Sequence, residues 1–264
     1  MKLSGSLALV TGASSGIGAA TARALAAKGA RVALVARTRA ALEEVAASIR
    51  AAGGEAHVFP ADVGDPDAVA AMAAQVTADL GVPDLLVNNA GVGRWLSVEE
   101  TDPDEAVAMM RVPYFAAFFV TRAFIEGMVA RGSGRVVNVN SPAGFTPIPG
   151  AAGYSAARAA LRTFSRCLDA ELRGSGVGVT HFTPGKVSTP YFSNNPGAEE
   201  RIPGIAAIIP TLSPDEVAAR LIAAVDADRR HATVPWMAAA IEALNSVAPW
   251  LVSALVRSSS WRRP

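Results

Sequence analysis

The sequence predicts a doubly wound α/β domain, a parallel sheet of about seven strands with helices on both faces. Three observations predict it. Apolar runs of strand length alternate with helix-length stretches, as expected of strands buried on both faces by crossover helices. The first run leads into a glycine turn, residues 11–18 (TGASSGIG), which opens an Ala-rich helical stretch. The 264 residues, 51% of them hydrophobic, are enough to bury one full core, and no fixed repeat, low-complexity linker or composition break divides them.

The strands are expected at 7–10, 31–36, 56–61, 84–87, 135–140, 177–183 and 231–234, and the helices near 17–28, 39–52, 66–80, 103–131, 152–173 and 214–227. Asp65 before Pro66, and Ser213 before Pro214-Asp215-Glu216, read as N-caps followed by a first helical proline, while Gly29, Gly53 and Gly174 read as helix stops. Two segments stand apart. Residues 190–212, rich in Pro, Gly and Ile, are too long for an ordinary connection and form a candidate lid, with Tyr191, Phe192, Ile202, Ile205, Ile208 and Ile209 available to cover an apolar substrate. Residues 235–256 are apolar with one charge, Glu242, and lead to Arg257, Arg262 and Arg263. Pro249, Asn245, Ser246 and Glu242 argue against a membrane span there. A helix on a membrane surface, a subunit contact and a flap over the site are alternatives; cover for the chain's own core or a neighbouring subunit is the expectation.

Composition excludes several classes. A formal net charge of +1 gives no basis for a nucleic-acid partner. The single cysteine, Cys167, forbids an intrachain disulfide and suits a reducing compartment. Residues 1–5 lead into the first strand without a hydrophobic signal region, so a cytoplasmic location is expected. His57, His181 and His231 lack ligand-like spacing to one another or to Cys167, so no metal site is expected and each reads as a strand residue.

The glycine turn carries chemistry. Strand, turn and helix in that order make a dinucleotide-binding unit: glycines 12, 16 and 18, with Ser14, Ser15 and Ile17 between, bring backbone N–H groups and a helix N-terminus to a pyrophosphate. The spacing is G-x3-G-x-G. Further on, Asn88-Asn89-Ala90-Gly91 ends an apolar strand, Ser141 lies just past another, Tyr154 opens Tyr154-Ser155-Ala156-Ala157-Arg158, and Pro184-Gly185-Lys186-Val187-Ser188-Thr189 closes a third. In this order and over roughly residues 7–234, these features resemble the short-chain dehydrogenase/reductase family in its compact single-domain, Rossmann-type form. The resemblance implies cofactor contacts from Gly12, Ser14, Ser15, Gly16, Ile17, Gly18, Arg37, Thr38, Asp62 and Val63 (Asp62 toward the adenine amino group), Asn89, Ala90, Gly91, Tyr154, Arg158, Pro184, Gly185, Val187 and Thr189. A sugar-nucleotide epimerase would share the glycine loop and tyrosine but would carry a further substrate domain.

The second strand ends at Ala36, followed by Arg37-Thr38-Arg39. A carboxylate there would select NAD; its absence, with a guanidinium able to grip a 2′-phosphate through two hydrogen bonds, suits NADP(H).

Hydride transfer to a carbonyl leaves charge on oxygen that a proton must meet. The resemblance assigns that proton to Tyr154, carbonyl polarisation to Ser141, and support of the phenolate to the residue four positions after the tyrosine on the same helix face. There the family has lysine and this chain has Arg158, which keeps a positive charge but does not release a proton near neutral pH. Pro113, in Met110-Arg111-Val112-Pro113-Tyr114, stands where the family has an asparagine at a helix irregularity. The expected function is NADP(H)-dependent reduction of a ketone, or oxidation of the matching alcohol, on an apolar substrate; the alternative is a catalytically impaired or silent NADP-binding protein. A homodimer or homotetramer through helices 103–131 and 152–173 is implied, with Met109, Met110, Phe115, Phe118 and Phe119 as core or subunit contacts.

Overall fold

A computed structural model describes residues 1–262 apart from Asn194, so Arg263 lies outside the described residues. Seven parallel strands run in the order β3-β2-β1-β4-β5-β6-β7. They are β1 (Leu7–Thr11), β2 (Arg31–Ala36), β3 (Glu55–Pro60), β4 (Leu85–Asn88), β5 (Gly134–Val139), β6 (Val177–Pro184) and β7 (His231–Val234). One face is covered by α1 (Gly16–Ala27), α2 (Arg39–Ala51) and α7 (Pro214–Asp226), the other by α3 (Pro66–Asp79), α5 (Ala116–Arg131) and α6 (Ala152–Glu171). Side chains alternate between the two cores: Ala8 and Val10 of β1 enter the first, Leu7 and Leu9 the second. The strand order reverses between β1 and β4, which opens a crevice at the carboxyl ends, where ligands bind in such sheets.

The predicted helix 103–131 is interrupted. Here α4 (Pro103–Met110) gives way to a wide turn, Arg111–Phe115, before α5, and inside it Val112 adopts extended angles, φ −136° and ψ 110°. Pro113 lacks an N–H, and its ring drives the preceding residue out of the helical region. The run 103–131 is long and apolar enough to cross a bilayer, yet α5 buries Val120, Phe124 and Met128 against the sheet.

The same rule divides the C-terminal apolar stretch. Ahead of Pro249, Ala248 turns to φ −137° and ψ 63°, which separates α8 (Trp236–Val247) from α9 (Pro249–Ser259). As expected, the pair covers its own chain: Ala238, Glu242, Val252 and Val256 are buried. The long connection after β6 holds two short 3-10 turns, Glu199–Arg201 and Gly204–Ile208, and the second packs on α9.

A polar ladder crosses the sheet beneath the crevice. Asn88, Asn138, His181 and His231 stand in register on four neighbouring strands. Asn88 donates to Asn138 Oδ1 at 2.9 Å, Asn138 donates to Ser165 Oγ at 2.9 Å, and His181 Nδ1 lies 3.3 Å from Ser165 Oγ. The His181 and His231 rings stack at 5.5 Å, and His231 meets Glu242 of α8 at 2.9 Å, as does Arg162 of α6 at 3.0 Å. Burial works against the charged Glu242 carboxylate, but hydrogen bonds from His231 and Thr233, together with the charges of His231 and Arg162, outweigh it and hold its pKa below the usual range.

Burial, aided by repulsion from His231, depresses the His181 imidazole from 6.5 to about 3, with Arg162 and Arg166 acting in the same direction and Glu242 against it. The unfolded chain therefore binds a proton below pH 6.5 that the folded chain refuses until about pH 3. Stability is expected to fall through that window as pH drops, by about 1.4 kcal/mol per pH unit from this group. Urea unfolding at stepped pH checks it; His181→Asn should flatten the slope.

Candidate active site

The nucleotide cradle is built by close approach. Gly12 and Gly16 have φ of +64° and +52°, a region open to glycine. A Cβ on Gly18 would sit 2.1 Å from the Gly12 carbonyl oxygen, so only hydrogen lets α1 pack this close to its strand. Asn89 Nδ2 donates to the carbonyls of Thr11 (3.0 Å) and Gly12 (3.3 Å), and the Asn89 and Ala90 N–H groups donate to Thr11 Oγ1, both at 3.0 Å. The turn after β4 is thus lashed to the glycine turn at the switch point.

The start of α1 is left for an anion. Ser15 is its N-cap but makes no side-chain capping bond, and the first turn holds no acid. By contrast α3, α4 and α7 are capped by Asp65, Asp102 and Ser213, with acids in their first turns. Ser14 is half-buried, and Ile17 packs against the core. The loop after β6 closes the other side: Gly185 N donates to Val234 O at 2.7 Å, Val187 bridges to Leu212, and Thr189 Cγ2 would lie 3.2 Å from a Cβ on Gly16. This loop follows Pro184, the last residue of β6.

Arg37 is exposed just past β2, beside Thr38, the uncapped N-cap of α2; Arg39 pairs with Glu43 at 3.8 Å. Beyond β3, Asp62 is exposed and Val63 buried, and Asp62 Oδ1 accepts from Gly64 N at 2.9 Å. Arg111 reaches the same corner and donates to Gly64 O at 2.9 Å. The sequence reading missed it, because only the break at Val112–Pro113 explains why that helix end meets this loop. A nicotinamide dinucleotide fits the cradle: its glycines cannot take a Cβ, and its helix start has donors without an internal cap.

Tyr154 and Arg158 lie on one face of α6, both buried, with the guanidinium carbon 5.1 Å from the phenol ring centroid. Arg158 Nη1 donates to Val139 O at 3.2 Å, and a Cβ on Gly91 would lie 2.6 Å from Nη2. The cation therefore lies across the ring face, between the end of β5 and Gly91, and its buried Nε has no hydrogen-bond partner among the described residues. Ser141 caps the short turn Pro142–Gly144, its Oγ accepting from Ala143 N at 3.3 Å. Among the described residues no hydrogen bond joins Ser141 to Tyr154, but Ala143 and Tyr154 share one buried cluster. Asn140 Nδ2 donates to Arg158 O at 3.0 Å and ties the strand end to α6. Pro113 is buried in its wide turn, which packs on α6.

Aromatic rings from residues 190–212 and from Trp95 cover the Tyr154 ring. Trp95 lies 5.6 Å and Tyr191 6.1 Å from the Tyr154 ring, and Phe192 stands edge-on to both. Tyr191 donates to Gly93 O at 2.7 Å and accepts from Trp95 Nε1 at 3.1 Å. Burial, reinforced by Tyr154, pushes the Tyr191 phenol well above the usual range and keeps it a neutral donor. Of the six apolar lid residues named above, Tyr191, Phe192 and Ile202 join the cluster around Tyr154, whereas Ile208 faces solvent. Trp95 escaped the sequence reading; a lone tryptophan four residues past Gly91 was its only signal.

Arg201 ties residues 190–212 to the rest of the chain. Its Nη1 and Nη2 donate to Glu100 at 2.7 and 2.8 Å, Nη1 also meets Gly150 O at 3.0 Å, and the guanidinium lies 4.7 Å from the Trp261 ring centroid. Hydrogen bonds from Arg201, then from Ser97, bring the Glu100 carboxyl down to about 2, so the Arg201–Glu100 pair persists at ordinary pH.

Residues 6–200 match the family described as short chain dehydrogenase. The chain belongs to that family. It is 35% identical over 263 residues to the probable oxidoreductase EphD of Mycobacterium tuberculosis, which covers 95% of this chain but 44% of that protein. The chain thus spans under half the length of that relative. Among solved structures, a metagenomic short-chain oxidoreductase in complex with NADP is 36% identical, with a TM-score of 0.75, over 89% of this chain and 98% of that one. A short-chain dehydrogenase/reductase from Burkholderia phymatum in complex with NAD is 26% identical, with a TM-score of 0.85, over 95% and 96%.

Gly18→Ala is expected to weaken nicotinamide dinucleotide binding at least about tenfold, since the added carbon forces the turn and helix apart. Fluorescence titration with NADPH and NADH measures it, with circular dichroism as the control for folding.

Proposed function

We propose that the chain is an NADP(H)-dependent oxidoreductase that reduces a ketone, or oxidises the matching secondary alcohol, on an apolar substrate. The observation that carries this reading is the Tyr154–Arg158 pair, seated at the carboxyl edge of the sheet beside the glycine cradle and roofed by Trp95, Tyr191 and Phe192. The bound nicotinamide supplies or accepts the hydride. Tyr154 gives its phenolic proton to the carbonyl oxygen in reduction and recovers it in oxidation. Arg158, lying over the ring, sets its guanidinium beside the phenol as the proton moves. Ser141 Oγ already accepts from Ala143 N, which leaves its hydrogen free to polarise the carbonyl. The aromatic roof excludes water and favours lipid-like, polyketide or terpenoid ketones over sugars.

Arg37 selects the cofactor, with no carboxylate beside it to repel a 2′-phosphate. Exposed Phe115 and Phe118, in a ring cluster with Tyr114, Phe119 and Phe164, suit a homodimer or homotetramer through α5 and α6 in a cytoplasmic enzyme. One observation favours the second reading, a dinucleotide binder with little turnover: the guanidinium is committed to Val139 O and to the ring face.

Tyr154→Phe is expected to lower kcat by about 10²–10⁴-fold while dinucleotide affinity is kept, measured as NADPH oxidation over a ketone panel. Arg158→Lys, alone and with Pro113→Asn, separates the two readings: readily measurable rates that these changes leave alone support a working arginine centre, and a large gain marks an impaired one. Arg37→Ala should weaken NADPH binding roughly tenfold and leave NADH unchanged; equal loss for both would sink the assignment of Arg37.

A further inference from the structure

The outward face of α8 is apolar from end to end. Its exposed residues Trp236, Ala240, Ala243 and Val247 recur at the spacing of one helix face, and the only other exposed side chain on α8 is Ser246. Trp236 is 75% and Val247 81% exposed. On the adjoining α9 the outward residues are Pro249, Trp250 (72% exposed), Ala254, Leu255 and Arg257, with Ser258 and Ser259 at its end. The 3-10 turn Gly204–Ile208 of the lid packs on α9 and adds Ile208, 64% exposed. A water-soluble helix pair would turn charged side chains outward here, and exposed apolar surface of this extent marks a contact site.

The charges indicate what it contacts. The one carboxylate of α8 and α9, Glu242, is turned inward against His231 and Arg162. Arg257 and Arg262, both exposed, are then the charges on the outer side of residues 235–262. The outward faces of α8 and α9 carry no carboxylate to repel an anionic surface, and two guanidinium groups stand at their C-terminal end to meet phosphates. Indoles at the start of both helices, with alanines following, suit the boundary between headgroups and acyl chains, where an indole is at home and close shape complementarity is not needed.

We infer that α8 and α9 form a peripheral membrane-binding face that lays the lid side of the enzyme on an anionic bilayer. Trp236 and Trp250 enter the interface, and Arg257 and Arg262 hold lipid phosphate. An apolar substrate dissolved in that bilayer would then lie beside the lid. The inference concerns the surface alone and holds whether or not the site turns over.

Flotation of the whole chain with vesicles of phosphatidylcholine, with and without phosphatidylglycerol, tests it. The protein is expected to float with the anionic vesicles. Trp236→Gln with Trp250→Gln should lower partitioning at least about tenfold, with the circular dichroism and melting temperature of the parent. Arg257→Gln with Arg262→Gln should weaken binding to anionic vesicles by roughly fivefold per arginine and leave neutral vesicles unaffected. The inference is overturned if the protein ignores both vesicles, or if the tryptophan pair is without effect. It is equally overturned if light scattering shows those tryptophans holding two copies together while vesicles go unbound, since the face would then belong to a dimer.

Discussion

A guanidinium buried at the carboxyl edge of the sheet sets the geometry around it. Arg158 sits between the end of β5, Gly91 and the Tyr154 ring, with Val139 O accepting one of its hydrogen bonds. Burying a cation is costly unless its surroundings answer it, and here a carbonyl and an aromatic face do so in place of a carboxylate. Each neighbour is shaped for it. Gly91 has no Cβ because Nη2 occupies that space, and Gly144 has none because the turn after Ser141 closes on the Arg158 carbonyl. Asn140 binds the same carbonyl, so the serine strand end and the tyrosine helix move as one body. A lysine has a slimmer head and could leave this slot for a ribose; the planar fork of arginine fills it.

Two prolines shape the rest by one mechanism. Each forces the residue before it out of the helical region, and each break redirects a helix toward the site side of the molecule. At Val112 the break lets Arg111 reach Gly64 beside Asp62, a loop that the helix would otherwise run past. At Ala248 it folds an apolar stretch back on itself, which gives the lid a helix to rest on.

Stiffness is unevenly distributed over the site. The cradle is fastened by backbone and amide hydrogen bonds between strand ends, and the ladder from Asn88 to His231 braces the sheet below it. Residues 190–212 are held largely through side chains: the Tyr191 hydrogen bonds, the Arg201–Glu100 fork, the Lys186–Glu199 pair and the bond from Ile205 N to Ser259 Oγ. The glycine cradle is thus fastened strand end to strand end, while the aromatic roof beside it rests on side-chain contacts.

The sequence by itself determined the strand–helix alternation, the glycine turn, the helix caps at Asp65 and Ser213, and the pairing of Tyr154 with Arg158, because each is set by spacing or residue chemistry within a few positions. Its glycine stops also stand where backbone φ turns positive, at Gly29, Gly53 and Gly174. Only the tertiary structure decided how Arg158 lies, that Trp95 and Tyr191 roof the phenol, that Arg111 joins the loop at Asp62, and that Glu242 is drawn inward from an apolar helix. Those outcomes depend on residues distant in the chain meeting at a strand end: Tyr191 finds Gly93, and Glu242 finds His231 and Arg162. No local pattern encodes such meetings, since the order of the strands, and not the order of the residues, makes them neighbours.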